Sequence, residues 1–220
     1  MAHNCISNTH HCVTVDNHMV IRTSVDVPKG GMITTTYAST LDGTMERRKF
    51  IRESKLFDCG CERCCDPTEM QTYLSALKCP KNCTPSSSSY MLPDEPLDYD
   101  SKWTCLGCSH SINASCMESI VKPIKEEIES IKDRNKLIPM LEMVLTKYSD
   151  VVLHPNHYLM LGVVHSLSQF YGRFNGWLME DLDLGDIKRK EMFCRKFLEI
   201  LDIIEPGMSR IRGGTRKILF

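Results

Sequence analysis

Four cysteines fall within seven positions of the sequence, in Cys59-Gly60-Cys61-Glu62-Arg63-Cys64-Cys65. Cysteines one or two residues apart make poor disulfide partners, because their Cβ atoms rarely reach bridging geometry. Their thiolates can instead face one ion, since zinc accepts soft sulfur ligands at the corners of a tetrahedron. The C-x-C-x2-C spacing makes Cys59, Cys61 and Cys64 candidate ligands. One position stays open, for a water as in catalytic zinc sites or for a distant residue as in structural ones. Cys65, adjacent to Cys64, reads as a spare buried thiol. A second set, Cys79-x3-Cys83 with Cys105-x2-Cys108, is two close pairs separated by a long gap. That is the spacing of a zinc-ribbon-like four-cysteine site. His3, His10, His11 and His18 crowd the first residues without a metal-ligand spacing. His10 and His11 read as strand-surface residues, since neighbours on a strand point to opposite faces.

Composition supports metal over disulfides. The chain has 220 residues, twelve of them cysteine, and its opening residues show neither a basic n-region nor an apolar h-region. A reducing compartment, cytoplasmic and/or nuclear, is therefore expected, where cysteine-rich patterns bind zinc. With 42% hydrophobic and 25% charged residues the chain has the make-up of a folded globular protein. A formal net charge of −1 gives no reason to expect direct nucleic-acid binding. No apolar run approaches the roughly 20 residues of a membrane span.

The flanking segments must position these groups. THHCVTV (9–15) and HMVIRTSV (18–25) are β-branched runs separated by the turn pair Asp16-Asn17. DVPKGG reads as a second turn and MITTTYAS (32–39) as a third strand, so a small antiparallel meander is expected. A polar helix is expected from Thr44 to Leu56. Asp66, Pro67 and Glu69 stand in the order of a cap, a first-turn proline and a capping-box acid, which predicts a helix over 66–77. The Ser-, Pro- and Asp-rich stretch 84–100 reads as an exposed loop.

Apolar stripes then mark helices: Val121, Ile124, Ile128 and Ile131, with Pro123 kinking or delaying the start; KLIPMLEMVLTKYS; Met160, Val163, Val164, Leu167 and Tyr171; and Cys194, Phe197, Leu198, Leu201 and Ile204. The last stops at Glu205-Pro206-Gly207. Amphipathic helices joined by short turns suggest a stack of the tetratricopeptide (TPR) type, with a simple bundle as the alternative.

In order, these pieces resemble the end of a SET domain from the SET-and-MYND (SMYD) family of protein lysine methyltransferases. AHNCISN (2–8) is similar to that family's N-H-x-C-x-P-N segment. GGMITTTY (30–37) is similar to its strand with the catalytic tyrosine, and FDCGCERC (57–64) to its post-SET zinc loop. DPTEMQTYLSALKC, LHPNHYLML and EPGMSRIRG resemble its helical C-terminal region. The resemblance implies an α+β fold: a partial SET β-meander with a post-SET zinc loop, then a zinc-stapled, mainly α-helical, TPR-like C-terminal domain. The corresponding units are 1–57 (the C-terminal part of a SET domain), 58–65 (zinc loop), 66–116 (zinc-ribbon-like segment) and 117–220 (helical domain).

It also implies roles. Cys5 would complete a tetrad with Cys59, Cys61 and Cys64, giving about two zinc ions with the tetrad Cys79, Cys83, Cys105 and Cys108. Ala2, His3 and Phe57 would contact S-adenosylmethionine, and the Tyr37 hydroxyl would orient the acceptor lysine amine. The sequence departs from the family at Ala2, where the family has a cofactor-holding asparagine, at Ser7 for a proline, and at Lys55 for a tyrosine lining the lysine channel. Neither a Gly-rich cofactor loop nor a MYND cysteine/histidine module occurs in the 220 residues.

The expectation is a C-terminal fragment of an S-adenosylmethionine-dependent protein lysine methyltransferase, inactive alone, whose parent acts on a protein or peptide without membrane contact. The alternative is a non-enzymatic zinc-binding helical module that binds a partner peptide. A strong chelator is expected to unfold residues 1–108 and spare the later helices.

Overall fold

In a computed structural model of the chain, residues 1–81, 83, 89–133 and 136–219 are described; the serine-rich positions 84–88 of the expected loop lie outside them. The first half runs β1 (Ala2–His3), β2 (Thr9–Val13), β3 (Met19–Thr23), β4 (Thr34–Thr35), α1 (Thr44–Lys55) and α2 (Glu62–Cys65). A four-stranded antiparallel sheet follows, in the order β5 (Leu77–Lys78), β6 (Tyr90–Pro93), β7 (Trp103–Cys105) and β8 (Ser111–Ile112). Then come α3 (Ala114–Ser130), α4 (Leu137–Tyr148), α5 (Tyr158–Phe170), the short hairpin β9 (Arg173–Phe174) and β10 (Trp177–Leu178), α6 (Leu184–Ile204) and α7 (Arg210–Leu219). No helix among the described residues is long and apolar enough to cross a membrane.

The expected hairpin forms: β2 pairs antiparallel with β3, and Asn17 takes the left-handed turn position at φ 63°. The expected meander does not. β4 leaves β3 and pairs in parallel with β1, so two separate two-stranded sheets result. The cause is a side chain. Asn8 donates from Nδ2 to the Met32 carbonyl at 2.8 Å and accepts from the Thr34 amide at 2.8 Å, holding the returning chain beside the segment that follows β1.

Three other expectations change. Residues 66–77 form no α-helix. The Asp66 carboxylate does accept from the Thr68 and Met70 amides, but it caps a turn. Beyond it Glu69, Met70, Gln71 and Tyr73 all have positive φ, between 50° and 62°. In α3, Pro123 lies inside the helix rather than near its start. The helix begins at Ala114 because the Asn113 side chain accepts from the Cys116 amide at 2.8 Å. Within the expected exposed loop, β6 buries Met91 and Leu92.

The main core gathers the predicted stripes. Val121 and Ile124, Leu141 and Val144, Met160 to Leu167, and Phe197 to Ile204 pack with Leu74, Leu77 and Met91 of the sheet region. Successive helices pack on one another, α4 on α5, α5 on α6 and α6 on α7. Backbone bonds stitch the segment 74–78 to the link between α4 and α5: Tyr158 donates to Leu74 at 2.7 Å, His154 to Ala76 at 3.0 Å and Lys78 to Val152 at 2.8 Å. At the other end, the Thr40 hydroxyl donates to Glu205 at 2.6 Å. Gly207, at φ +80°, fits there because a Cβ would sit 1.7 Å from the Ser24 carbonyl oxygen.

His157 caps α5, its Nδ1 accepting from the Leu159 amide at 3.3 Å. It is 1% exposed, and burial lowers its pKa to about 3. The unfolded chain binds this proton below about 6.5 and the folded chain does not. The contribution to stability is therefore complete above about 6.5 and is lost as pH falls from there through about 3. Asn at this position keeps a cap acceptor without titrating. Between pH 6 and 4, the parent should lose stability faster than His157→Asn, by up to about 1.4 kcal/mol per pH unit, in denaturant titrations. Parallel curves would contradict it.

Candidate functional site

Each half of the first cysteine cluster is placed by a local device. The β1–β4 ladder, continued by the Asn4 amide donating to Thr35 at 3.1 Å, fixes Cys5. Cys61 is the N-cap residue of α2, which carries Cys64. The four sulfurs of Cys5, Cys59, Cys61 and Cys64 lie within 4.8 Å of one another, with Cys5 3.6 Å from Cys64 and 3.9 Å from Cys59. Zinc–sulfur bonds of about 2.3 Å in a tetrahedron set sulfur–sulfur edges of about 3.8 Å, so the donor set fits zinc. Hydrogen bonding with Cys59 and its neighbours pulls the Cys5 thiol far down, while Cys5 and its neighbours push Cys64 far up. Only a cation would let all four ionise together. Cys65 takes no part and is exposed rather than buried, bonding to the Gly60 carbonyl.

Beneath the tetrad lies a buried charged group that the sequence reading missed. Arg47 on α1 points Nε at Cys5 Sγ (3.3 Å) and Nη2 at Cys64 Sγ (3.6 Å). Its Nη1 is 2.7 Å from Glu69 Oε2, and Arg63 Nη2 is 3.2 Å from the same oxygen. The other Glu69 oxygen accepts from the Thr44 amide at 3.1 Å and the Ser75 hydroxyl at 2.5 Å. Arg47 and Arg63 are 0% exposed and Glu69 1%. Burial alone would raise the Glu69 pKa, but Arg47 and then Arg63 more than reverse this and hold it below the usual carboxylate range. A four-thiolate zinc site carries net charge −2 by formal count, and Arg47 meets that charge through its donors. The available signal was negative. Helix α1 carries few apolar residues, Met45, Phe50 and Ile51, too few to form a continuous inner stripe, so its inner face had to include charges.

Cys79, Cys83, Cys105 and Cys108 form the second four-sulfur group, also within 4.8 Å. Cys79 and Cys108 are 3.7 Å apart and Cys83 and Cys105 3.4 Å, which again fits zinc and is far from disulfide length. Cys79 follows β5 and Cys105 ends β7, so the sheet brings the two pairs together. Cys108 is exposed and Cys83 half-buried.

Beside the first cluster, His3, Tyr37 and Phe57 meet in an open corner, and Ala2 precedes His3 on β1, paired with Thr34. The ring of His3 lies 5.2 Å from that of Tyr37 and 5.9 Å from Phe57, and Tyr37 and Phe57 stand edge to face at 6.4 Å. His3 joins corner to cluster: its Nδ1 accepts from the Tyr37 amide at 3.1 Å, and its Nε2 is 3.4 Å from Cys5 Sγ. The Tyr37 hydroxyl donates to the Met1 carbonyl at 2.5 Å. Lys55 Nζ stands 5.8 Å from the centre of the Tyr37 ring, and Phe57 is 39% exposed. His10 and His11 join neither cluster.

Cys79 and Cys105 belong to the same buried core as the helices, so the chelator expectation is revised. Stripping both metals should lower helical circular dichroism as well as unfold residues 1–108. Retention of the full helical signal would contradict it. Arg47→Met should leave Glu69 and the thiolates undercompensated. It should cost about 3–5 kcal/mol in denaturant titration and weaken zinc at the first site about 10- to 100-fold. Cys65→Ser should bind as much zinc as the parent.

Two curated sequences are similar to part of the chain. The chain is 34% identical over 134 residues to SET domain-containing protein SmydA-8, isoform A, of Drosophila melanogaster, covering 59% of the chain and 28% of that protein. Isoform B is 31% identical over 132 residues, covering 58% and 29%. The matched stretch thus spans less than a third of either relative, and no family model matches the chain. Over that stretch the chain is similar to part of these SET domain-containing proteins.

Proposed function

We propose that the chain is the C-terminal part of an S-adenosylmethionine-dependent protein lysine methyltransferase, in which the first zinc cluster fixes one wall of the methyl-transfer site. The observation that carries this reading is the convergence of His3, Tyr37 and Phe57 on one corner, with His3 bridging to Cys5. On this reading residues 1–57 complete a SET domain, 58–65 form its zinc loop, 66–116 a second zinc unit and 117–220 a TPR-like helical domain. The protein would act in the cytoplasm and/or nucleus on a protein partner.

S-adenosylmethionine, when bound, supplies a methyl group on a sulfonium cation. Ala2, His3 and Phe57 would hold it. The chemistry of the corner fits such a cation: the Tyr37 ring already receives the Lys55 ammonium, and aromatic faces attract sulfonium and ammonium groups alike. The Tyr37 hydroxyl, released from the Met1 carbonyl, would hold a neutral lysine amine in line. Methyl transfer also demands a narrow, dry channel, and this corner is open, with Phe57 39% exposed. The chain alone is therefore proposed to be inactive.

Lys55 over Tyr37 favours a second reading, a non-enzymatic zinc-dependent interaction module, because its charge stands where a substrate amine would go. Tritiated-methyl transfer onto lysine peptide arrays separates the two. The full-length protein should label lysine, Tyr37→Phe should lower turnover about 100-fold, Lys55→Ala should raise it, and the isolated chain should be silent. A full-length protein that neither labels lysine nor binds S-adenosylmethionine in calorimetry would leave the interaction module. Labelling by the isolated chain would overturn its proposed inactivity.

A further inference from the structure

A groove lies between α1, the β6–β7 turn region and α3, lined by none of the cysteines and none of the corner residues. It encloses about 610 Å³, within the range of sites that take a small ligand or a few side chains of a peptide. Its floor is apolar and aromatic, with Trp103 3% and Val121 8% exposed beside Met45, Met117 and Tyr158. Gly43 keeps that floor open, because a Cβ there would stand 2.5 Å from Ser75 Oγ and 3.1 Å from Tyr158 Cδ1.

The rim is acidic. Glu46, Asp100, Glu118, Glu126 and Glu129 line it against Lys49, Lys122 and Lys125. Lys125 is already engaged, 3.2 Å from Glu46, which leaves four carboxylates facing two ammonium groups. Those four carboxylates sit on two facing walls, Asp100 between β6 and β7 and Glu118, Glu126 and Glu129 on α3, so their field sums across the groove. Tyr158 senses it: burial first, then the charges of Glu46, Asp42 and Glu129, hold its phenol protonated beyond the usual range.

We propose that this groove docks a lysine- or arginine-bearing peptide segment of a partner protein, with its apolar side chains on the Trp103–Val121 floor and its cations on the acidic rim. The assignment rests on charge complementarity and is independent of methyl transfer, since no corner residue lines the groove. An acidic strand, nucleic acid included, would meet the rim with like charge.

Fluorescence anisotropy with a fluorescein-labelled lysine/leucine peptide, and its glutamate/leucine counterpart, tests this on the zinc-loaded chain. The basic peptide should bind and the acidic one should not. Glu118→Lys combined with Glu129→Lys, both exposed, should weaken binding about tenfold, and raised salt should weaken it further. Glu199→Lys, on the exposed side of α6, should leave the affinity unchanged. Unchanged zinc content and circular dichroism confirm that each variant is folded. The proposal is overturned by failure of the basic peptide to bind, by equal binding of the acidic peptide, or by equal losses from Glu199→Lys and the groove variant.

Discussion

The contact between the Arg47 guanidinium and two cysteine sulfurs is the constraint on which the first half of the chain depends. A buried cation without a partner is strongly unfavourable, and so is a buried cluster of thiolates. Together they are tolerable, but only with Glu69 and Arg63 completing the set. Buried networks of this kind are stable when every member is satisfied and worse than an apolar core when one is missing. Here there is little apolar core to fall back on. Among the described residues, the buried apolar cluster around the tetrad consists of three of its own cysteines with Ala38 and Ile51.

The same constraint explains a costly stretch of backbone. Glu69 reaches Arg47 and Arg63 from a run in which four of five residues have positive φ, a conformation that costs roughly 1–2 kcal/mol per L-residue. Side chains hold the run in place: Asp66 accepts from two amides, Thr68 Oγ1 accepts from the Gln71 amide, and the Thr72 hydroxyl donates to the Glu69 carbonyl. Immediately beyond it, residues 74–78 bond to the backbone between α4 and α5. The strained turn is the joint between the half that holds the first cysteine cluster and the helical half.

What could be read from the sequence was what is local. The cysteine spacings and the apolar stripes of α3 to α6 are fixed by periodicity within a few turns of chain, and these elements formed as expected. Three of the departures depend on distant partners. Nothing near Thr34 in sequence announces that Asn8 will draw it beside β1. Glu69 has the spacing of a capping-box acid, and only two arginines from elsewhere take it away from that task. β6 sits in a stretch whose serines, prolines and aspartates read as loop, and it becomes a strand because β5 and β7 offer it ladders on both edges. In the corner, Tyr37 and Phe57 came from the family resemblance. Residue type alone would have left Tyr37 an ordinary sheet tyrosine.

Helix α1 shows how these parts become one device. Its buried face supplies Arg47, Arg48 and Ile51 to the cluster and its surroundings. Its first turn, with Glu46, lines the acidic groove, and Lys55 at its end stands over Tyr37. A helix with an apolar inner face could slide or tilt against a core at modest cost, since dispersion contacts are non-directional. Guanidinium donors aimed at two sulfurs and one carboxylate cannot slide, because hydrogen bonds weaken steeply with angle. Polar packing beneath the cluster therefore fixes the orientation of α1, and with it the relation between corner and groove. A change on that inner face would therefore be felt at both ends of the helix.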